Sequence, residues 1–255
     1  MNRIIQSFLD IHKTEYSIEN WENEVAFEHF INKCIVNKYS NERFDPSDIM
    51  TDPGEKGLDG VAICINGRIV NSIDEMEAIF QGSTSVEARF VFIQTKTSEK
   101  FDGGEIGNFL YGVRAFFSEP SIRPVTNEKM ENLIKIKDAI YTHSIDMEHS
   151  PILDVYYVCC GKWDEGNGLS NRIQLDLKPL EDSQDFLSVN FYPYDAEKII
   201  TTYKELKKKV TRIFPMEKKV TFPVIQGVKQ AFLGLVKCKD FVSILSDSDD
   251  NMLTN

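Results

Sequence analysis

The sequence predicts an α/β protein in which helices cover a mixed β-sheet. Three observations predict it. Strand-length apolar runs, among them VAICI, ARFVFIQTK and PILDVYYVCCGKW, recur along the chain between turn-forming residues. Asn66-Gly67 separates VAICI from RIVNS, and Asn-Gly between apolar runs is the strongest short hairpin signal. Helix-period stretches precede this hairpin and lie between the later strands, so one sheet can have both faces covered.

Taken in order, residues 1–17 are expected to be helical. In SIENWENEVAFEHFINKCIVNKY, Trp21, Val25, Phe27, Phe30, Ile31, Cys34 and Ile35 give a broad apolar helix face, with Ser17 or Asn20 as N-cap. Residues 40–57, rich in Asp, Pro, Gly and Ser, read as a loop before the hairpin. A short helix is expected over 73–81, then the strand ARFVFIQTK. Gly103-Gly104 opens the helix EIGNFLYGVRAFFS, which Pro120 stops, and a second helical stretch runs from Asn127 to His143. PILDVYYVCCGKW and DFLSVNFYPY read as strands, and DAEKIITTYKELKKKVTR as a helix with Asp195 as N-cap. The tail suggests a short strand around VTFPVI, a helix near GVKQAFLGLV, the segment KDFVSILSD, and disorder over SDSDDNMLTN. The expected organisation is a core at 1–145, an α/β extension at 146–246 that completes the sheet or packs on it, and a disordered tail at 247–255.

Composition narrows the function. The 255 residues are 42% hydrophobic and 27% charged, ordinary for a globular protein. No apolar run approaches the roughly 18–20 residues that span a membrane, and no secretory signal is legible, so no membrane partner is expected. The five cysteines (Cys34, Cys64, Cys159, Cys160 and Cys238) form no CxxC pair, which points to reduced thiols and a cytoplasmic setting. The four histidines make no zinc motif. Gly103-Gly104 lacks the lysine of a phosphate-binding loop.

The net charge of −11 is uneven. Residues 198–239 hold 11 lysines and arginines against Glu205 and Glu217, a local +9 that leaves −20 for the rest. A solvated helix face is the plain reading of KELKKKVTR. The sharper one is a stripe of phosphate contacts at Lys207, Lys208, Lys209 and Arg212.

The chemistry gathers on FVFIQTK. Side chains alternate across a strand, so Phe92, Gln94 and Lys96 share one face while Val91, Ile93 and Thr95 share the other. The strand starts apolar on both faces and ends with an amide beside an ammonium. Buried polar groups need partners, so this strand end is expected to open into a cleft. Asp59, in the Gly-Leu-Asp-Gly turn before VAICI, is the natural partner. Glu24 and Glu28 lie four apart on the early helix, share a face, and offer a second carboxylate. Oxygen ligands without His or Cys suit Mg²⁺ or Mn²⁺, and a lysine beside such an ion suits a phosphate-ester reaction.

A helix acid, an Asp in a Gly-rich turn before a strand, and Gln94-Thr95-Lys96 at a strand end together resemble the PD-(D/E)XK nuclease superfamily, in its Mrr-type QxK form. The text AFEHFINKCIV, DPGEKGLDGVAICINGRIV and FVFIQTKTSEKFDGGEIGNFLYGVRAFF is similar to the N-terminal part of the AIPR (abortive infection phage resistance) family. That resemblance implies a restriction-endonuclease-like fold and a Mg²⁺- or Mn²⁺-dependent DNA endonuclease of prokaryotic phage defence. It assigns metal binding to Asp59, Gln94, Glu28 and the backbone carbonyl of Thr95, and makes Lys96 the catalytic lysine, with Glu24 the rival to Glu28. Gln94 stands where the more usual motif has an acid, which removes a negative charge from the ligand set. The interval of 35 from Asp59 to Gln94 is longer than in the simplest form. A second reading keeps the fold as a nucleic-acid-binding or sensing module without turnover. A third makes residues 121–255 an interaction surface for a longer C-terminal region of the same protein or for a second subunit in a homodimer.

Overall fold

A computed structural model describes residues 1–52, 57–164, 168–208, 215–221 and 232–245, with the backbone alone at 243–245. Two helices come first, α1 (Arg3–Tyr16) and α2 (Asn23–Val36). Asn2 caps α1 by accepting from the N–H groups of Ile4 and Ile5. Neither Ser17 nor Asn20 caps the start of the second helix, contrary to the sequence expectation; the cap position is Glu22, and Ser17 has another place. It ends the first, in a left-handed conformation (φ 58°), and α2 begins only at Asn23. The turn between them is closed by the Lys13 ammonium, which donates to the Trp21 carbonyl at 2.8 Å and to Asn23 Oδ1 at 3.0 Å. His12 and His29, both buried, meet at 2.7 Å and fix the roll of α2 against α1.

The hairpin forms as the sequence implies. Strands β1 (Gly60–Ile65) and β2 (Arg68–Ile69) flank Asn66 (φ 49°) and Gly67 (φ 76°), the paired positive φ values of a type I′ turn. Helix α3 (Ile73–Gly82) follows, capped by Ser72. Strand β3 (Ala88–Lys96) coincides with ARFVFIQTK. Helices α4 (Gly103–Phe117) and α5 (Glu128–Thr142) occupy the expected stretches. Strand β4 (Ile152–Cys159) is buried along almost its whole length. Helix α6 (Leu169–Asp182) is a finding the sequence reading lacked; it buries Ile173, Leu177 and Leu180. Strand β5 (Ser188–Tyr194) and helix α7 (Ala196–Leu206) close this part, with Asp195 Oδ1 accepting from the Lys198 N–H at 3.0 Å.

The five strands make one mixed sheet in the order β2-β1-β3-β4-β5. β1 is antiparallel to β2 and β3, whereas β3, β4 and β5 run parallel. Helices cover both faces, as expected for an α/β protein. On one face Val61, Ile63, Phe90, Phe92, Leu153 and Val155 pack with residues of α3, α4, α5 and α6. On the other Ala62, Cys64, Val91, Ile93, Tyr156 and Val158 pack with α1, α2 and α7.

The chain divides into two compact units, Met1–Leu206 and Lys207–Asn255. The division falls after Leu206, and β4 and β5 complete the sheet of β1 and β3, one of the two arrangements expected of the extension that starts at 146. In the second unit, β6 (Glu217–Thr221) pairs antiparallel with β7 (Phe232–Leu235), and α8 (Cys238–Leu245) follows. Residues 232–235 are therefore strand, where GVKQAFLGLV suggested a helix. Short apolar runs do not distinguish the two by periodicity. Residues 227–231 of that stretch and the tail SDSDDNMLTN lie outside the described residues. No helix among the described residues is long and apolar enough to cross a membrane.

Candidate functional site

Strand direction brings the motif residues together. Because β1 is antiparallel to β3, the start of β1 lies beside the end of β3, with Gly60 opposite Ile93. Asp59 immediately precedes β1 and donates its N–H to the Ile93 carbonyl at 2.9 Å. Beyond that bond β3 stays paired with β4 but has no strand on its β1 side, and there the Asp59 side chain takes the place of a partner strand. Its Oδ2 accepts from Gln94 Nε2 at 2.6 Å, from the Thr95 N–H at 2.7 Å and from the Thr95 hydroxyl at 3.0 Å. Gln94 and Thr95 are buried, and this one carboxylate accepts from both. Burial raises the Asp59 carboxyl above its ordinary value. The Thr95 hydrogen bonds and the Lys96 charge oppose that rise, and the Glu105 charge adds to it.

Glu28 reaches the same point from α2. It is half-buried, whereas Glu24, one turn earlier, is exposed. The Glu28 carboxyl is pushed up to about 7, first by burial and next by the charge of Asp59, with Lys96 pulling it down and Glu24 adding a smaller push. Of the two helix acids, Glu28 is the one that feels the Asp59 and Lys96 charges. Asn32, a turn further along α2, donates to the Asp59 carbonyl at 3.3 Å and holds the helix against the start of β1. A Cβ on Gly60 would lie 2.3 Å from Asn32 Oδ1, so only glycine permits this approach.

Lys96 does not pair with Asp59 or Glu28. Its ammonium lies 2.6 Å from Oε2 of Glu105, a residue of the first turn of α4. Sequence reasoning missed Glu105. The signal was its position just after Gly103-Gly104, where a strand–turn–helix connection returns to the sheet edge that β3 has left. Tyr157 was missed as well. It stands opposite Gln94 on β4 and is fully buried. The Tyr157 hydroxyl and Asn32 Oδ1 are the two buried side-chain polar atoms without a hydrogen-bond partner among the described residues. Burial raises the Tyr157 hydroxyl, and the charges of Glu105 and Asp59 raise it further. An unpartnered buried polar atom costs about 1–3 kcal/mol.

The donor set here is all oxygen: the carboxylates of Glu28 and Asp59, the Gln94 amide oxygen and the Thr95 carbonyl. Such a set fits Mg²⁺ or Mn²⁺ in kind. Gln94 turns its amide nitrogen toward Asp59 and the Thr95 carbonyl, at 2.6 and 3.3 Å, and its oxygen toward Gly57. A half-turn of the planar amide exchanges the two ends with no change of shape. Among the described residues, no three His, Cys, Asp or Glu side chains are grouped to hold a metal ion. Of the basic residues read as phosphate contacts, Lys207 and Lys208 belong to the second unit and are exposed, and Lys209 and Arg212 lie outside the described residues. Two concavities are lined elsewhere. One, of about 20 Å³, lies among Leu58, Gly112, Phe116, Arg123 and Met130. The other lies among Tyr39, Asn66, Glu87, Arg89 and His149, where β3 begins.

No protein-family model, curated protein or solved structure matches the chain.

Proposed function

We propose that the chain is a Mg²⁺- or Mn²⁺-dependent nuclease that hydrolyses phosphodiester bonds of DNA, with a restriction-endonuclease-like core and a role in prokaryotic phage defence of the AIPR kind. The observation that supports the reading is the Asp59 carboxylate bonded to Gln94 and Thr95 at the end of β3, with Glu28 feeling the Asp59 and Lys96 charges and Asp59 feeling that of Lys96. Perturbed carboxylates grouped around a lysine mark functional sites more often than ordinary surface positions.

In this reading Asp59, Glu28, the Gln94 amide oxygen and the Thr95 carbonyl hold the cation. When bound, the ion would polarise a phosphoryl oxygen and ease ionisation of a water. With the Gln94 amide turned to offer its oxygen, Asp59 stays oriented by the Thr95 N–H and hydroxyl, which both donate to its Oδ2. Glu28, which holds its proton up to about pH 7, gives it up as positive charge arrives beside it. The Lys96 ammonium stabilises the negative charge that develops on the phosphoryl oxygens. Lys207, Lys208, Lys209 and Arg212 are the proposed phosphate contacts along the substrate.

The test is cleavage of plasmid DNA, single-stranded DNA and RNA with Mg²⁺, Mn²⁺ or EDTA. Cleavage is expected with either ion, none with EDTA, and a loss of about 100-fold or more in Lys96→Ala. A Lys96→Ala variant as fast as the wild type would show that the lysine is misassigned. A second reading, a nucleic-acid-binding module without turnover, draws support from Asp59 Oδ2 already accepting three bonds and from Lys96 already pairing with Glu105. Binding of the same substrates without cleavage under every ion condition would select it.

A further inference from the structure

We infer that Glu105 is a positioning residue for Lys96, an inference that rests on the nuclease reading above. Lys96 is the last residue of β3, and its flexible four-carbon side chain is 35% exposed. A point charge on such a stem occupies one place only if something holds it there. Glu105 Oε2 lies 2.6 Å from the ammonium.

The carboxylate that holds it is itself well anchored. Glu105 is the third residue of a 15-residue helix, and its N–H donates to the N-cap side chain of Asp102 at 3.0 Å. The neighbouring Ile106 is buried in the core and fixes the roll of the first turn. An acid in the first turn also sits favourably in the field of the helix terminus.

The pair and Asp59 are close enough to act on one another. The Lys96 charge favours the ionised form of Asp59 and the Glu105 charge opposes it. Glu28 reaches Asp59 from α2, and the lysine with its counter-ion reaches it from the α4 side. The site is thus built from both faces of the sheet, and Glu105 determines where its positive charge stands. A misplacement of about 1 Å in such a site costs on the order of 100-fold in rate. Glu105 acts through the lysine and needs no contact with the substrate.

The experiment compares full-length wild type with Glu105→Gln, Glu105→Asp, Lys96→Ala and the double variant Glu105→Gln/Lys96→Ala. The Glu105 side chain is 49% exposed, so the variants are expected to fold, which circular dichroism checks. Glu105→Gln is expected to lower kcat about 10- to 100-fold with KM within about twofold. Glu105→Asp should recover part of the loss, and Glu105→Gln should do nothing further in the Lys96→Ala background. The ¹³C-methyl signal of reductively methylated Lys96, assigned by its loss in Lys96→Ala, should move in Glu105→Gln. Unchanged or increased kcat in Glu105→Gln, an effect on KM alone, or an equal loss in the Lys96→Ala background would overturn the inference. If the wild type cleaves nothing, the NMR arm decides alone. A moved Lys96 signal sustains the positioning and places the failure on the nuclease reading, and an unmoved one overturns the positioning.

Discussion

Asp59 Oδ2 accepts three hydrogen bonds, yet burial still raises its carboxyl, and Glu28 beside it is raised to about 7. Burial raises both acids and the Asp59 charge adds to the rise at Glu28, so the two are unfavourable neighbours when both are ionised, and a bound cation would reverse that. The effect has a measurable sign without any ion. Glu28 ionises near its ordinary 4.5 in the unfolded chain and near 7 in the folded one. The folded state therefore holds more protons in between. The stability that Glu28 contributes is full below about pH 4.5 and lost as pH rises through 7. Without divalent ions, Glu28→Gln is expected to remove about 1–2 kcal/mol of the stability lost between pH 5 and 8, a figure reduced from the full shift for solvent exposure. Thermal denaturation across pH checks this, and identical pH profiles for wild type and variant would contradict it. At this scale the sequence was informative where a rule of alternation applied. Gln94, Lys96 and Asp59 could be named from the strand period and the turn. Glu28 could not be separated from Glu24, because residues four apart share a helix face and only burial distinguishes them. Glu105 and Tyr157 were hidden. One depends on where a helix starts and how it rolls, the other on which partner an apolar strand faces.

Among the elements, β3 was legible to the residue, since its nine positions are apolar, β-rich and bounded by turns. α2 was legible in kind but not in its start. Ser17 is as good an N-cap as a C-terminal left-handed residue is rare for serine, and the end of α1 claimed it. α6 was obscured by Pro179, which reads as a helix breaker but falls near the end of the helix. The element contact most important to the site is α2 on β1. Gly60→Ala would drive a methyl group into Asn32, which is fully buried, and push the helix bearing Glu28 away from Asp59. A loss of about 1–3 kcal/mol in urea denaturation is expected, together with slower cleavage. An unchanged denaturation midpoint would mean that α2 and β1 do not depend on this close approach.

For the molecule as a whole, the α/β class and the helix-covered mixed sheet followed from the order of elements. The place where the chain divides did not. The apolar strands β4 and β5 could complete the first sheet or pack on it, and only the pairing of β4 with β3 and of β5 with β4 decides. The charge is divided along the chain as well, with a +9 stretch over residues 198–239 against a total of −11. In the proposed nuclease, that stretch supplies the phosphate contacts and the acidic remainder includes the cation site. The central claim is that site, and titration of Mn²⁺ into the full-length protein at pH 8, followed by calorimetry and by electron paramagnetic resonance, tests it most directly. The expected result is saturable binding to the wild type that is lost in Asp59→Asn, a variant that keeps the acceptor for Thr95 and Gln94 and so the fold. Equal Mn²⁺ binding by Asp59→Asn and wild type, or no binding by either, would contradict it.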